Sequence, residues 1–369
     1  MKEEDWNMAQ TEPMERTVRT AEAGAFKFTG SEDRRFVYFQ PRKRRPTTYE
    51  DVTIDIQPHT GRHLKQGFLL AMLDDSPNYN PERTRVQCSD WNRIVDVNEE
   101  YERIFYQRQH AVEEQFRRTL ETAKSRQVFE TFHPRWTRVL EIHLSAFKHA
   151  EYGLGMYSFA IMQREALTIM LNNVFTVQSA EKLRFAQDLT IYMMELAEQI
   201  TGFSESRGRE SWLSAPEWQG IRKAVEQINA STDWAEQWFV INLLYEPLIG
   251  QLFRGRFIML FGSQNGDFVT PVLVSTAEAD YDRNLRTTVE AFKVLLGDEQ
   301  HGAANRTLVE GWVEKYLPLC TEASKGLEPL WEMPQVQVAA FSDSYERAAS
   351  KCLHNLSALA ITLPKGVRV

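Results

Sequence analysis

The feature that most constrains this chain is a predicted helical hairpin over residues 135–201 that carries charges within two apolar stripes. On its first helix, predicted to run on through residues 149–175, Glu151 falls among apolar residues spaced three and four apart. On its second helix, predicted over residues 179–200, Lys182 lies one turn before a matching apolar stripe. Unpaired buried charge is costly, so a carboxylate and an ammonium on facing apolar surfaces need an explanation.

The same arrangement returns further along the chain. A long apolar stretch over residues 234–261 holds Glu246, and a predicted helix over residues 275–297 carries Tyr281 and Asn284 on one face. Two helix pairs, each with a lone inward glutamate, are typical of a ferritin-like four-helix core, in which two further helices each add a Glu-x-x-His motif. That spacing puts carboxylate and imidazole on one helical face. The sequence therefore predicts an all-α, ferritin-like helical bundle.

Both Glu-x-x-His motifs are missing from the places where such a core needs them. The first stretch has Lys182 and Phe185 at the two ligand positions, and the second has Tyr281 and Asn284. An ammonium repels an iron ion, and a phenyl ring cannot coordinate one. We hypothesise that Lys182 neutralises one of the two glutamates where metal charge would have been, while Tyr281 and Asn284 supply hydrogen bonds. We expect no metal and no catalytic residue at the six positions of this degenerate centre: Glu151, Lys182, Phe185, Glu246, Tyr281 and Asn284.

With these motifs the chain resembles the β (small) subunit of the hydroxylase of soluble bacterial multicomponent di-iron monooxygenases. It is most similar to the branch that oxidises propane, cyclic ethers and acetone. The similarity covers essentially the whole chain, through the N-terminal arm and the EYG, EKLRFAQ, NLLYEPL and AEADYDRN helices. In the catalytic α subunit of that family, a D-E-x-R-H signature follows each glutamate helix. Its arginine matches Arg184 and Arg283 here, whereas its histidine is replaced by Phe185 and Asn284.

The resemblance implies a ribonucleotide-reductase-like bundle with extra helices, acting as a non-catalytic β subunit that supports α. It implies that α carries the di-iron centre, that the hydroxylase assembles as α2β2, and that a coupling protein and a reductase with FAD and a 2Fe-2S cluster complete the system. The whole enzyme then hydroxylates small organic substrates with O2 and electrons from NADH. Two alternatives stay open: the chain is itself a metal-binding di-iron oxidase, or it is a free-standing helical scaffold.

The sequence predicts an extended N-terminal arm over residues 1–60 and a helical domain over residues 61–369. The helical domain has core pairs at about 135–201 and 234–297 and C-terminal helices within 303–369. The arm is polar and contains prolines and a basic run, so we expect it to order on the α subunit through aromatic anchors and arginine–carboxylate pairs. The candidates for α-subunit contact are Arg35, Tyr38, Phe39, Arg42, Arg44, Arg45 and Tyr49.

Composition narrows the possible functions. A formal net charge of −8 argues against a general nucleic-acid binder. The three cysteines are widely spaced without a C-x-x-C motif, so we expect reduced cytosolic thiols and neither a disulfide frame nor a zinc site. The sequence shows no apolar run approaching about 18 residues and no apolar signal-peptide core, so we expect a cytoplasmic protein that does not interact with membranes. It contains no phosphate-binding loop, so we expect no nucleotide, flavin or iron–sulfur cofactor in this chain.

Two other patterns are weaker. Glu130 and His133 form the one literal Glu-x-x-His in the chain, but a proline follows at once and places the pair at a predicted helix boundary. Ser263 and Asp267 suggest a hydrolase only superficially, because the chain has no G-x-S-x-G motif. Ser263 and Asp267 fall within residues 262–274, which we predict to be a non-helical interruption of the core.

Overall fold

The structure is a computed structural model of the chain. It describes residues 25–26, 34–35, 46–53 and 81–363. The chain divides into two compact units, Met1–Ile56 and Gln57–Val369.

The described residues of the first unit form a small strand pair and one short helix. Strand β1 (Ala25–Phe26) pairs antiparallel with β2 (Arg34–Arg35), and helix α1 (Thr48–Thr53) follows. A reciprocal cap explains where α1 begins. The Glu50 amide donates to the Thr47 hydroxyl at 3.2 Å, and the Thr47 amide donates to the Glu50 carboxylate at 2.8 Å.

The second unit is a helical bundle, and the predicted all-α, ferritin-like fold is confirmed. Helices α3 and α4 form one core pair, α7 and α8 form the other, and α4 packs against α8. Helix α6 connects the two pairs and packs on α9, while α10 packs on α7. Within residues 81–363 the helices are, in chain order, α2 (Glu102–Ser125), α3 (134–165), α4 (Ile169–Gln199), α5 (Arg207–Ser214), α6 (Pro216–Asn229), α7 (234–262), α8 (Val269–Leu296), α9 (Gly302–Lys325) and α10 (Phe341–Ser357). Short 3-10 turns lie at Pro81–Arg83, Trp91–Arg93, Val128–Thr131, Ser263–Asn265 and Glu328–Glu332.

The two glutamate-bearing helices contain π-helical stretches. Helix α3 widens at Leu140–Leu144 and Gly155–Phe159, and α7 widens at Ile241–Gly250 and Leu252–Ile258. Pro247 lies within the first stretch of α7. Proline has no amide hydrogen and its ring crowds the preceding turn, so the wider turn accommodates it without ending the helix.

The first core helix ends earlier than the sequence predicted. Helix α3 stops at Glu165, residues 166–168 form a short non-helical break, and residues 169–175 belong to α4. The reason is Thr168, whose hydroxyl accepts a hydrogen bond from the Leu171 amide at 3.1 Å and caps the new helix. The spacing of apolar residues continues across this break, so the sequence pattern did not indicate that one helix ends and another begins here.

The predicted non-helical interruption at residues 262–274 is also wrong over its second half, because α8 begins at Val269. The Asp267 carboxylate accepts hydrogen bonds from the Val269 and Thr270 amides, both at 2.9 Å, and so starts the helix. It also accepts one from the Trp136 indole at 2.9 Å. Asp267 is therefore a structural residue.

The core between the helices is rich in large aromatic side chains. Phe175 lies edge-on to Trp238 with ring centroids 5.0 Å apart, and Phe147 lies 4.8 Å from Phe253. Such pairs stabilise a core beyond the area they bury. This packing fixes the four helices that present polar residues to the centre. Among the described residues of the second unit, the largest fully buried side chains are Trp136, Trp218, Trp234, Trp238, Arg254, Tyr192, Tyr245, Tyr316, Phe147 and Phe159.

Candidate functional site

Two glutamates from opposite core pairs meet at the centre of the bundle. Glu151 comes from α3 and Glu246 from α7, and each is 1% exposed. Lys182 of α4 lies between them. Its Nζ donates to Glu151 Oε2 at 2.7 Å and also to Glu246 Oε1. The ammonium therefore bridges the two carboxylates that sequence analysis placed at the core.

A second cation, which sequence analysis missed, bridges the same two carboxylates. The Arg254 side chain is completely buried; its Nη1 donates to Glu151 Oε1 at 2.9 Å and its Nη2 to Glu246 Oε2 at 2.6 Å. Its Nε donates to Glu278 of α8 at 2.8 Å. All four oxygens of the two central carboxylates thus pair with a cation. One signal was available, because Arg254 follows Glu246 by two helical turns within an otherwise apolar stretch.

The two cations and Glu246 stabilise one another's charges, whereas at Glu151 burial outweighs Lys182 and Arg254 and raises the pKa. Burial alone raises the pKa of Glu246, but Arg254 and Lys182 outweigh burial and bring that pKa down to about 2. Burial alone lowers the pKa of Lys182, but Glu151 and Glu246 outweigh it and raise that pKa. The pKa of Arg254 is likewise raised by its carboxylates against the effect of burial. Lys182, Glu246 and Arg254 are therefore all charged at neutral pH.

The remaining degenerate positions lie around a cavity of about 20 Å³ beside the ion pairs. All six positions line it, together with Asn242, Ala277, Glu181 and Asp280. The Tyr281 hydroxyl donates to the Asn242 carbonyl at 3.0 Å, and Asn284 donates to Glu181 at 2.8 Å. Phe185 is 3% exposed and contributes only apolar surface. The cavity has room for about one water molecule.

An outer acidic cluster lies next to this cavity. We use the name for the three buried carboxylates of Glu100, Glu181 and Asp280. Arg108 of α2 donates to Glu100 and Glu181, each at 2.7 Å, and also to Asp280. Arg283 pairs with Asp280, and the distance from Arg283 Nε to Glu100 Oε2 is 3.5 Å. Arg283 matches the arginine of the family signature, whereas no sequence pattern pointed to Arg108.

The central donor set does not fit an iron ion. Its carboxylate oxygens are already paired with cations, and a metal ion here would face an ammonium and a guanidinium at hydrogen-bonding distance from its own ligands. Within residues 81–363 and the shorter described segments, no group of three or more histidine, cysteine, aspartate or glutamate side chains is placed to hold a metal.

The other candidates from the sequence do not converge on this centre. His133 lies at the N-terminus of α3, next to Pro134, and Glu130 lies in the 3-10 turn before it. His143 is a core residue whose Nδ1 accepts a hydrogen bond from the Trp218 indole at 3.0 Å. Among the α-contact candidates, Arg35 lies in β2 and Tyr49 in α1. The other five lie outside the described residues: Tyr38, Phe39, Arg42, Arg44 and Arg45.

The fold and its ion-paired centre define a ferritin-like subunit that lacks the two Glu-x-x-His motifs of a di-iron site and has cations paired with its two lone glutamates. The profile of the methane/phenol/alkene hydroxylase family matches residues 71–299. The chain is 40% identical to the propane 2-monooxygenase hydroxylase component small subunit of Gordonia sp. (strain TY-5), covering 97% of this chain and 98% of that protein. The chain belongs to this hydroxylase family, in the branch of the hydroxylase small subunits, and the resemblance inferred from sequence is confirmed.

Two further similarities are more distant, one in sequence and one in structure. The β chain of methane monooxygenase component A from Methylosinus trichosporium is 24% identical over 81% of this chain and 78% of that protein. A solved structure of phenol hydroxylase from Pseudomonas sp. OX1 superimposes with a TM-score of 0.73 at 22% identity, covering 88% of this chain and 93% of that one.

No helix among the described residues is long and apolar enough to span a membrane.

Proposed function

We propose that this chain is the non-catalytic β subunit of the hydroxylase of a propane/acetone-type di-iron monooxygenase. One observation carries the proposal: Lys182 and Arg254 pair with all four oxygens of Glu151 and Glu246, where a di-iron bundle would use these carboxylates as ligands. A centre neutralised by fixed protein cations provides rigidity without redox chemistry. Its contribution to the enzyme is therefore mechanical support.

The partner is a catalytic α subunit with its own di-iron centre, and two αβ pairs assemble as α2β2. Relatives at 38–40% identity are named as small subunits of a hydroxylase component, which supports a larger companion chain. The di-iron centre of α supplies O2 activation. A reductase with FAD and a 2Fe-2S cluster delivers electrons from NADH, and a coupling protein binds the hydroxylase.

The substrate is a small organic molecule that α hydroxylates, and propane is the first one to test. The support is that four relatives covering 94–97% of this chain are named for propane. Substrate contacts belong to the cavity of α.

The predicted cytoplasmic location is supported by the cysteines: Cys88, Cys320 and Cys352 are all free thiols.

The N-terminal arm is proposed to lie across α. Its basic run, Arg42 to Arg45, would pair with carboxylates of α, and its aromatic residues Tyr38 and Phe39 would fill apolar pockets. Tyr49 is only 1% exposed within this chain, so its side chain is not available as such an anchor. An arm that orders on its partner contributes contact area without enlarging the bundle.

Co-expression with the large subunit of the same component tests the proposal. We expect a stable complex, and propane oxidation that requires both chains together with reductase and coupling protein. The control is each chain purified alone, for which we expect no turnover. Turnover by this chain alone would support a self-sufficient di-iron oxidase instead. Failure to bind the large subunit at micromolar concentration would support a free-standing scaffold.

A further inference from the structure

A stripe of uncharged side chains runs along the solvent side of helix α4. Its six members recur every three or four residues over 176–194, so they share one face, and all are exposed or half-buried. Charged residues normally cover such a face. The nearest charged residues pair with α2 instead, Arg184 with Glu113 and Glu195 with Lys124. The stripe consists of Thr176, Ala180, Leu183, Gln187, Ile191 and Met194.

Helix α3 places exposed aromatic side chains beside this stripe. A Cβ added at Gly155 would lie 3.0 Å from Leu183 Cγ, so the two helices are in close contact there. Tyr152 and Tyr157 lie on either side of Gly155 in the chain, and their ring centroids are 6.3 Å apart. The π-helical stretch Gly155–Phe159 brings residues five apart closer to one face. We use the name uncharged face for the stripe of α4 together with Tyr152, Met156 and Tyr157 of α3.

The composition of the uncharged face is that of a protein interface. Its large exposed side chains are two tyrosines, two methionines and one isoleucine, each between 39% and 56% exposed. Tyrosine and methionine are enriched, and charged residues depleted, at the centre of interfaces between proteins. Contiguous exposed apolar surface on a soluble protein marks a binding site more often than a solvated one. The five side chains are Tyr152, Met156, Tyr157, Ile191 and Met194.

The size of the uncharged face indicates what binds to it. The stripe is about 27 Å long at the rise of an α-helix, and two packed helices are about 20 Å wide, which gives about 500 Å². A stable interface buries about 800 Å² on each partner. Two copies of this chain that met on this face alone would fall short of that area. A partner that also binds the N-terminal arm would reach it.

We propose that the uncharged face binds the large subunit of the hydroxylase component, through an apolar helical surface of that subunit. The inference rests on the proposed function, because it takes the large subunit as the partner. Tyr157 and Met194 lie in the contact and lose their access to solvent there. The facing surface of the large subunit is uncharged, because a charge buried against these side chains would have no partner.

Hydroxyl-radical labelling of the full-length chain, alone and with the large subunit, maps the contact without any substitution. We expect labelling of Met156, Tyr157 and Met194 to fall by about five-fold or more in the complex, because the partner covers them. Tyr106 of α2 is 60% exposed and is the control, whose labelling should not change. A complex that forms without protecting the three residues would overturn this inference and leave the proposed function intact. Absence of any complex at micromolar concentration would overturn both.

Two charge insertions test the same face by affinity. Tyr157→Glu and Ile191→Lys, made separately, should each weaken binding to the large subunit by about ten-fold or more, because each buries an unpaired charge. Tyr106→Glu and Ile104→Lys make the same changes at exposed positions of α2 and should bind like the wild type. Circular dichroism checks that all four variants fold.

The outcomes separate the possible occupants of the uncharged face. The inference is wrong if Tyr157→Glu and Ile191→Lys bind the large subunit as tightly as their controls. It is also wrong if the wild-type chain sediments alone as a dimer that Tyr157→Glu converts to a monomer, because the face then belongs to a second copy. If a charge variant does not fold, the labelling of the wild type decides alone.

Discussion

The carboxylate of Glu246 lies against the backbone of Gly250, four residues further along α7. A Cβ added at Gly250 would lie 2.9 Å from Glu246 Cδ and 3.0 Å from Arg254 Nη1. Glycine at this position is therefore what allows the carboxylate to turn along the helix and meet Arg254. The ion pairs at the centre depend on the backbone as well as on the charged residues themselves.

Gly250→Ala should consequently destabilise the chain by about 2 kcal/mol, because the added methyl group displaces Glu246 from Arg254 in a close-packed site. Urea unfolding measures the change. Gly311→Ala is the matched control, since Gly311 lies inside helix α9 with no atom within 4 Å of its added Cβ. That variant should gain about 1 kcal/mol from helix propensity. Equal effects of the two variants would show that Gly250 has no special role.

Lys182→Met should lower the free energy of unfolding by about 3 kcal/mol, because it leaves two buried carboxylates sharing a single cation. Lys293→Met removes an exposed lysine that pairs with Glu290 and should change stability by less than about 0.5 kcal/mol. Urea unfolding and co-purification with the large subunit are both informative here. If Lys182→Met changed neither stability nor binding to the large subunit, charge replacement at the centre would be the wrong explanation.

Stability should decrease between pH 6.5 and pH 4 in part because of His143. Burial, together with the Arg138 charge, lowers the pKa of His143 to about 4, whereas the unfolded side chain has a pKa near 6.5. As pH falls through this window the unfolded chain binds a proton that the folded chain does not, so up to about 3 kcal/mol of stability is lost. His143→Gln should make the stability–pH curve shallower. His110→Gln, which changes an exposed histidine of α2, should leave the curve as it is.

Charge reversal in the arm should weaken assembly without unfolding the bundle. Changing Arg42, Arg44 and Arg45 together to Glu should lower the affinity for the large subunit by about ten-fold or more, because each arginine is proposed to face a carboxylate. Circular dichroism checks the fold, and titration calorimetry measures the affinity. Reversing Arg117 and Arg118 on the exposed face of α2 is the control. An unchanged affinity in the arm variant would remove the basic run from the interface.

The sequence predicted the helix pairs because their apolar spacing is set by burial of one face, and it brought Glu151 and Lys182 together because each interrupts such a face. It did not predict Arg254, whose three partners come from three helices and become neighbours only after the bundle forms. Arg108 was missed for the same reason. The break before α4 was missed because Thr168 caps a helix within an unbroken apolar run.

The most direct test of the central claim is the iron content of this chain purified alone, after incubation with ferrous iron under anaerobic conditions and desalting. We expect iron far below one ion per chain, because Lys182 and Arg254 already pair with the carboxylates of Glu151 and Glu246. About two irons per chain, the complement of an intact di-iron bundle, would contradict it.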